Sequence, residues 1–336
     1  MGLEIIRDKA VWDSFVDSSY NGTLFHKWDF LKTAEKHTST RLYTYGILKG
    51  DELIGLFPVF VMKKYSLKFA FTSPPKTGMI YSGVVLTKEF PRLKRDKKDG
   101  ILEKIADSID YILNENSPQY FHMNLAPPWI DVREFVWRKY NIVPRYTYIL
   151  DLTRSIDKLW GLLKKETRRK IKKIRDSNTI TFERVENLES IYKIIRARYN
   201  ALGLATPIIN SDYLSELQKN FPNNIEGYLI RSKEDNSILT GQIIVKYRNR
   251  FITWMGGTKI TSNTFLPDYI MWKFIEMAKL EGFEVFDFGG ANTKRLIHFK
   301  SKFNPNLELH FEITKKSAIG KLSELAYKKV LKKRWW

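Results

Sequence analysis

A chain of 336 residues with 43% hydrophobic and 14% aromatic side chains is long enough to bury one large core or two smaller ones. It contains no cysteine, which excludes disulfides, thiolate metal sites and a cysteine nucleophile, and its five histidines include no close metal-ligand pair, so no metal is expected. The net charge of +20 points to nucleic acid, an anionic membrane or phosphorylated substrates as partners, or else to a lysine-rich proteome. No run of about 18 apolar residues occurs, and charge interrupts the N-terminus from Glu4 onward. These features predict a cytoplasmic protein without a membrane-spanning helix.

In chain order, Trp12 to Asn21 and Phe25 to His37 read as amphipathic helices. Arg41 to Leu48 and Glu52 to Met62 flank Lys49-Gly50-Asp51, a hairpin signal, with Pro58 expected at an edge or bulge because it cannot donate a ladder hydrogen bond. Phe69 to Ser73 and Gly83 to Leu86 read as strands, Ile101 to Asn114 as a helix, and Tyr120 to Leu125 as a strand. The second half repeats this order. Tyr146 to Leu152 is a strand and Ser155 to Arg175 one helix, eight of whose last twelve residues are basic. Thr179 to Arg184 is a strand, Leu188 to Leu202 and Ser211 to Asn220 are helices, and Glu226 to Arg231 and Leu239 to Tyr247 are strands. Leu307 to Ile313 closes the sheet. Ser317 to Arg334 reads as a basic helix ending in Trp335-Trp336, suited either to docking on its own domain or to lying on an anionic membrane.

The stretch from Arg250 to Phe303 carries the strongest signal. Phe251 to Met255 and Phe283 to Phe288 are β-branched and aromatic, and a helix from Pro267 to Leu280 joins them, so they form a β-α-β unit with parallel strands. Each strand is expected to end in a glycine pair, Gly256-Gly257 and Gly289-Gly290, which places both pairs at the carboxyl edge where ligands bind in open α/β sheets. Gly256-Gly257-Thr258 leads toward a helix start able to hold an anion. Asp287 is a candidate base, or equally a structural acceptor for backbone N–H groups.

An antiparallel pair feeding a strand, a glycine-bearing turn, a helix and a parallel strand resembles the GNAT acyltransferase fold, and two copies in tandem resemble the FemAB-like peptidyltransferases. The residues carrying the likeness are Phe25-x-x-Trp28, Leu159-Trp160 with the basic Arg168-Arg169-Lys170, Gly256-Gly257 and Leu266-Pro267. Asp287-Phe288-Gly289-Gly290 and Phe299-Lys300 followed by Lys302-Phe303-Asn304 complete it. The fold class is thus expected to be α/β (α+β), with two GNAT-like domains over residues 1–150 and 151–315, each a mixed, mostly antiparallel sheet flanked by helices. Residues 316–336 would form the basic C-terminal helix.

The resemblance implies transfer of an aminoacyl group from aminoacyl-tRNA to an amine of a peptidoglycan or other cell-envelope precursor. Other relatives use acyl-CoA for N-acetylation. No cofactor is implied beyond that donor co-substrate. It places Phe299 and Lys300 at the reaction, Lys300 supplying positive charge beside the reacting carbonyl unless it is an ordinary surface lysine. Donor binding is assigned to Gly256, Gly257, Thr258, Gly289 and Gly290, and acceptor binding to Arg198, Tyr213 and Trp28, although a salt bridge and core packing explain these three equally well. Arg168, Arg169 and Lys172 are the expected polyanion contacts, for tRNA, coenzyme A phosphates or a lipid-linked precursor at the membrane surface. Several tRNA-using relatives insert a long helical arm, whereas Thr179 to Asn224 holds two short helices, and the alternating glycines of the usual GNAT pyrophosphate loop are absent. A non-catalytic polyanion- or membrane-binding protein is the reading from outside the enzyme class.

Overall fold

The computed structural model describes residues 2–258, 265–322 and 325. Its contacts divide the chain into two compact units: Met1–Pro144 with Pro207–Ile209 and Leu309–Trp336, and Arg145–Thr206 with Asn210–Glu308.

The first unit begins with β1 (Leu3–Ile5), α1 (Lys9–Ser18) and α2 (Trp28–His37), the latter two joined through a 3-10 turn at Leu24–His26. A meander of β2 (Arg41–Lys49), β3 (Glu52–Lys64) and β4 (Leu67–Phe71) follows, with the two-residue β5 (Val85–Leu86) lying against β3. Then come α3 (Arg95–Asn116), β6 (Tyr120–Asn124), which pairs parallel to β4, and the short α4 (Arg133–Trp137). Pro58 sits in β3 opposite Thr44 of β2, and on the other side of β3 it falls between the register of β5, which reaches Leu56, and that of β4, which starts at Phe60, so no ladder partner faces it there. The apolar face of α3, including Ile101, Ile105, Ile109 and Ile112, packs with Phe57, Phe121 and Met123 of the strands.

His26 shows how tightly this unit is closed. It is fully buried; Nδ1 accepts the Thr23 N–H at 3.1 Å, and Nε2 lies 3.2 Å from the Gly83 carbonyl. Burial pushes its pKa down from 6.5 to about 4. The unfolded chain therefore binds this proton at a higher pH than the folded chain does. The associated stability is fully present above pH 6.5 and is lost as pH falls toward 4, amounting to roughly 3 kcal/mol. Urea unfolding of wild type and His26→Gln between pH 7 and pH 4 should show a shallower acid loss in the variant; equal slopes would count against this assignment.

The second unit runs β7 (Asn141–Asp151, entering from the first unit), α5 (Ile156–Leu162), α6 (Lys165–Ser177), β8 (Ile180–Val185), α7 (Glu189–Ala201) and α8 (Ser211–Asn220). It continues with β9 (Ile225–Ser232), β10 (Ile238–Tyr247), β11 (Arg250–Thr258), α9 (Leu266–Leu280), β12 (Val285–Asp287) and α10 (Lys294–Lys300). Its strands lie in the order β7-β12-β11-β10-β9-β8, antiparallel except for the β11·β12 pair. The last strand, β13 (Asn306–Lys316), leaves this unit at Glu308 and pairs with β6 of the first. Each unit thus builds a three-stranded antiparallel run, a helix and a parallel strand, the repeated α/β architecture expected from the sequence.

Three local readings are corrected. The single helix expected over Ser155 to Arg175 is two, because Leu163 and Lys164 adopt extended backbone with ψ of 143° and 142°. Leu159, Leu163, Ile171 and Ile174 are all buried at spacings one continuous helix would also satisfy, so periodicity could not register the break. The first glycine pair does not follow a strand. Gly256 and Gly257 lie inside β11, opposite Gln242 and Gly241 of β10, and the strand runs on to Thr258. β12 is shorter than expected, and α10 was not foreseen. Most of the predicted C-terminal helix lies outside the described residues.

Candidate functional site

The parallel pairing of β11 with β12 covers Arg250↔Val285, Phe251↔Phe286 and Ile252↔Asp287, and there it stops. β11 continues alongside β10, with Trp254 as the extra residue of a bulge between Thr253 and Met255, while the chain after Asp287 turns away through Phe288. Gly289 and Gly290 make that turn at φ +69° and +96°. A Cβ on Gly289 would stand 2.4 Å from the Thr253 carbonyl oxygen, so only glycine allows the turn to rest on β11 where the strands part. The two strands open at their carboxyl ends, the edge at which α/β sheets bind ligands.

α10 returns Phe299 and Lys300 to this opening. Lys300 is only 6% exposed, and its Nζ donates to the Gly290 carbonyl at 2.7 Å and the Gly289 carbonyl at 3.3 Å. Burial lowers its pKa to about 8, against the opposing pull of the Asp287 carboxylate. Phe299 stacks edge-on with Phe303 at 6.0 Å, and the Lys302 ammonium lies 5.3 Å from the Phe299 ring centre. Lys302 also reaches Asp268, a carboxylate 1% exposed in the first turn of α9, at 3.1 and 3.3 Å.

Asp287 is fully buried and is engaged through both oxygens. Its Oδ1 accepts from Thr147 Oγ1 at 2.6 Å and the Gly289 N–H at 2.8 Å, and its Oδ2 accepts from the Arg250 guanidinium at 2.8 Å. Arg250 also forks two bonds onto Glu308 at 2.7 and 2.9 Å. Of the two uses open to Asp287 from the sequence, the geometry is that of an anchored acceptor rather than of a base facing a substrate. Thr147, Arg250, Glu308, Asp268 and Lys302 went unassigned by sequence reasoning; apart from the Lys302-Phe303-Asn304 run, no local pattern marks them.

Gly257 has a packing role on the sheet, and a Cβ on Gly256 would meet the Gln242 side chain instead. Gly227, Gly241 and Gly257 lie on β9, β10 and β11, and a Cβ on them would press into Leu188, Ile191, Ile194 and Ile195 at 2.3–3.2 Å. This glycine stripe lets α7 settle directly on the sheet backbone. The Thr258 hydroxyl pairs with that of Thr240 at 2.6 Å.

The basic helix divides by direction. The Arg168 guanidinium points back to the carbonyls of Trp160, Gly161 and Leu163 at 3.4, 3.0 and 2.8 Å, closing the end of α5. Arg169 and Lys172 are exposed. Lys170 and Lys173 lie 5.2 and 5.6 Å from the ring centre of Phe265, the residue that precedes α9. Positive charge therefore collects at the N-terminal end of α9. Arg198 is half-buried on α7, whereas Tyr213 is fully buried in α8, where burial raises its pKa and leaves no surface for an acceptor. Trp28 belongs to the first unit, edge-on to Trp12 at 6.2 Å with the Lys32 ammonium 5.6 Å from its ring centre. Among the described residues no group of His, Asp or Glu is arranged to hold a metal ion, and no helix is long and apolar enough to cross a membrane.

Residues 163–301, from the α5–α6 break to just past Lys300, match the family model described as an acetyltransferase (GNAT) domain. Among solved structures, FemX is similar over 97% of this chain and 99% of its own, with a TM-score of 0.70 and 14% identity. A tandem GNAT protein from the clavulanic acid biosynthesis pathway is similar over 93% and 98%, with a TM-score of 0.54 and 9% identity. The C-terminal domain of a putative lysylphosphatidylglycerol synthetase from Agrobacterium fabrum is similar over 90% and 91%, with a TM-score of 0.57 and 12% identity. No curated protein matches the chain in sequence. The fold is therefore the tandem GNAT fold, and the segment that matches the GNAT domain model lies in its second half. Within that class the likeness to FemX gives the chain the FemAB-like architecture that its motifs suggested.

Proposed function

We propose that this protein is a FemAB-like transferase that forms an amide between an activated acyl or aminoacyl donor and an amine-bearing acceptor of the cell envelope. The observation that carries the reading is Lys300, a buried ammonium held at the point where β11 and β12 part, inside the segment matched as a GNAT domain. In such a reaction the amine nitrogen attacks the donor carbonyl and forms a C–N bond, the C–O bond of an ester or the C–S bond of a thioester breaks, and the proton the amine gives up is balanced by the one the leaving alcohol or thiol takes. An ammonium beside the carbonyl steadies the oxyanion that develops. A pKa near 8 keeps Lys300 mostly charged at neutral pH and still able to exchange a proton there. Binding both substrates in one cleft supplies the remaining advantage by orientation.

The likeness to FemX and to a lysylphosphatidylglycerol synthetase domain supports an aminoacyl donor, delivered as aminoacyl-tRNA, and an acceptor at the membrane face. The exposed Arg169 and Lys172 of α6 suit a phosphate backbone. The match to an acetyltransferase model favours a second reading with acyl-CoA as donor. Titrating purified protein with acetyl-CoA and with an aminoacyl-tRNA pool at two salt concentrations separates them. Under the leading reading, aminoacyl-tRNA saturates the protein and outcompetes uncharged tRNA. Arg169→Glu with Lys172→Glu then weakens binding about tenfold or more at low salt and flattens its salt dependence by roughly two phosphate contacts. Saturation by acetyl-CoA alone selects the second reading. Weak, steeply salt-dependent binding of both donors would refute the transferase.

A further inference from the structure

We propose that Thr147 and Arg250 are positioning residues for Lys300, acting through Asp287 and the Gly289-Gly290 turn; the inference deepens the reading of Lys300 as the cation at the reaction and rests on it. The turn has two faces. Its N–H groups point inward, Gly289 to Asp287 Oδ1 at 2.8 Å and Gly290 to Thr147 Oγ1 at 2.9 Å. Its carbonyls point the other way, and both receive the Lys300 ammonium. The Gly290 N–H shares its peptide plane with the Gly289 carbonyl, so its bond to Thr147 sets the direction of that carbonyl, while the Gly290 carbonyl shares its plane with the Ala291 N–H, which donates to the Tyr146 carbonyl at 2.7 Å.

Thr147 is the joint of this arrangement. A hydroxyl has one proton to give, and here it goes to Asp287 Oδ1 at 2.6 Å, leaving the oxygen to accept from Gly290. The order Gly290 N–H to Thr147 O–H to Asp287 carboxylate is thereby fixed in one direction. Arg250 holds the far end, bridging Asp287 Oδ2 at 2.8 Å to Glu308 through two further bonds. Thr147 lies on β7, Arg250 at the start of β11 and Asp287 at the end of β12, so three neighbouring strands converge on one turn. Both glycines hold positive φ, a conformation that bonds at the N–H groups keep in place.

Removing the Thr147 hydroxyl leaves the Gly290 N–H without its acceptor and frees the Gly289–Gly290 peptide plane to rotate, which turns the Gly289 carbonyl away from Lys300 and loosens the hold on the ammonium. The second unit contains its own control. Lys246 is 7% exposed and is held in a separate cluster by Glu226 at 2.8 Å and Glu281 at 2.7 Å. The test is competitive acetylation of lysines with acetic anhydride, read by mass spectrometry, in wild type, Thr147→Val, Thr147→Ser and Arg250→Lys, alongside steady-state turnover. In Thr147→Val, Lys300 should be modified about tenfold faster with Lys246 unchanged, and kcat should fall about tenfold with KM held within twofold. Thr147→Ser should restore both, and Arg250→Lys, which keeps the charge but loses the fork, should move Lys300 in the same direction. Lys300 modified at the wild-type rate in Thr147→Val, or rising together with Lys246, overturns the positioning role. A wild type without turnover overturns the transferase reading instead, and the labelling pattern then decides the positioning by itself.

Discussion

Replacing Lys300 with methionine is expected to lower kcat by about 100- to 1000-fold while KM changes little, the loss typical of removing one oxyanion-stabilising group. Methionine keeps the length and apolar character of the buried stem, so the fold is retained; what disappears is the charge and its two bonds to Gly289 and Gly290. The pH dependence follows from the direction of the shift. Burial has lowered the pKa to about 8, so the ammonium is the main form below that value and is lost above it. If the ammonium acts on the oxyanion, wild-type turnover declines as pH rises through about 8, and the variant lacks that limb. A variant that turns over at the wild-type rate would remove Lys300 from the reaction.

The second large effect is on stability. Asp287→Asn should destabilise the protein by about 2–3 kcal/mol at pH 7. The new amide presents an N–H group to the Arg250 guanidinium and removes the buried charge it pairs with, while the pair with Glu308 is kept. The figure is set below that for a fully buried pair because Arg250 is 21% exposed and keeps its pair with Glu308. Urea unfolding measures it directly. A base aimed at substrate would behave in the opposite way, losing turnover with stability untouched, and that outcome would restore the first of the two roles open to Asp287.

The β-α-β core was legible because its signals are local. The aromatic and β-branched strands, the amphipathic α9 and the punctuating Gly289-Gly290 each fall within a few residues. The repeat of architecture followed from the order of elements. Two features were not legible. The break between α5 and α6 depends on Arg168 turning back onto carbonyls five to eight residues earlier, in a stretch whose apolar spacing suits an unbroken helix. The network around Asp287 joins Thr147 across 140 positions, Arg250 across 37, and Glu308 to Arg250 across 58. No periodicity links such residues. Gly256-Gly257 reads from sequence as the end of a strand because paired glycines serve loops and close packing alike, and only the approach of α7 to Gly257 and the continuing β10 ladder reveal that they lie within one.

The glycine stripe has a mechanical consequence. A helix that rests on side chains can accommodate a lost or added methyl group by repacking its neighbours, but α7 rests on bare backbone at three points in a row. Gly227, Gly241 and Gly257 act as the seats of a bearing, and Ile191, Ile194 and Ile195 are the surfaces that run on them. A single added carbon at Gly241 or Gly257 would meet α7 at 3.1–3.2 Å, so the helix would have to shift by a few tenths of an ångström at that seat. The orientation of α7, and with it the direction in which Arg198 leaves the sheet, is thus set by atoms that are absent.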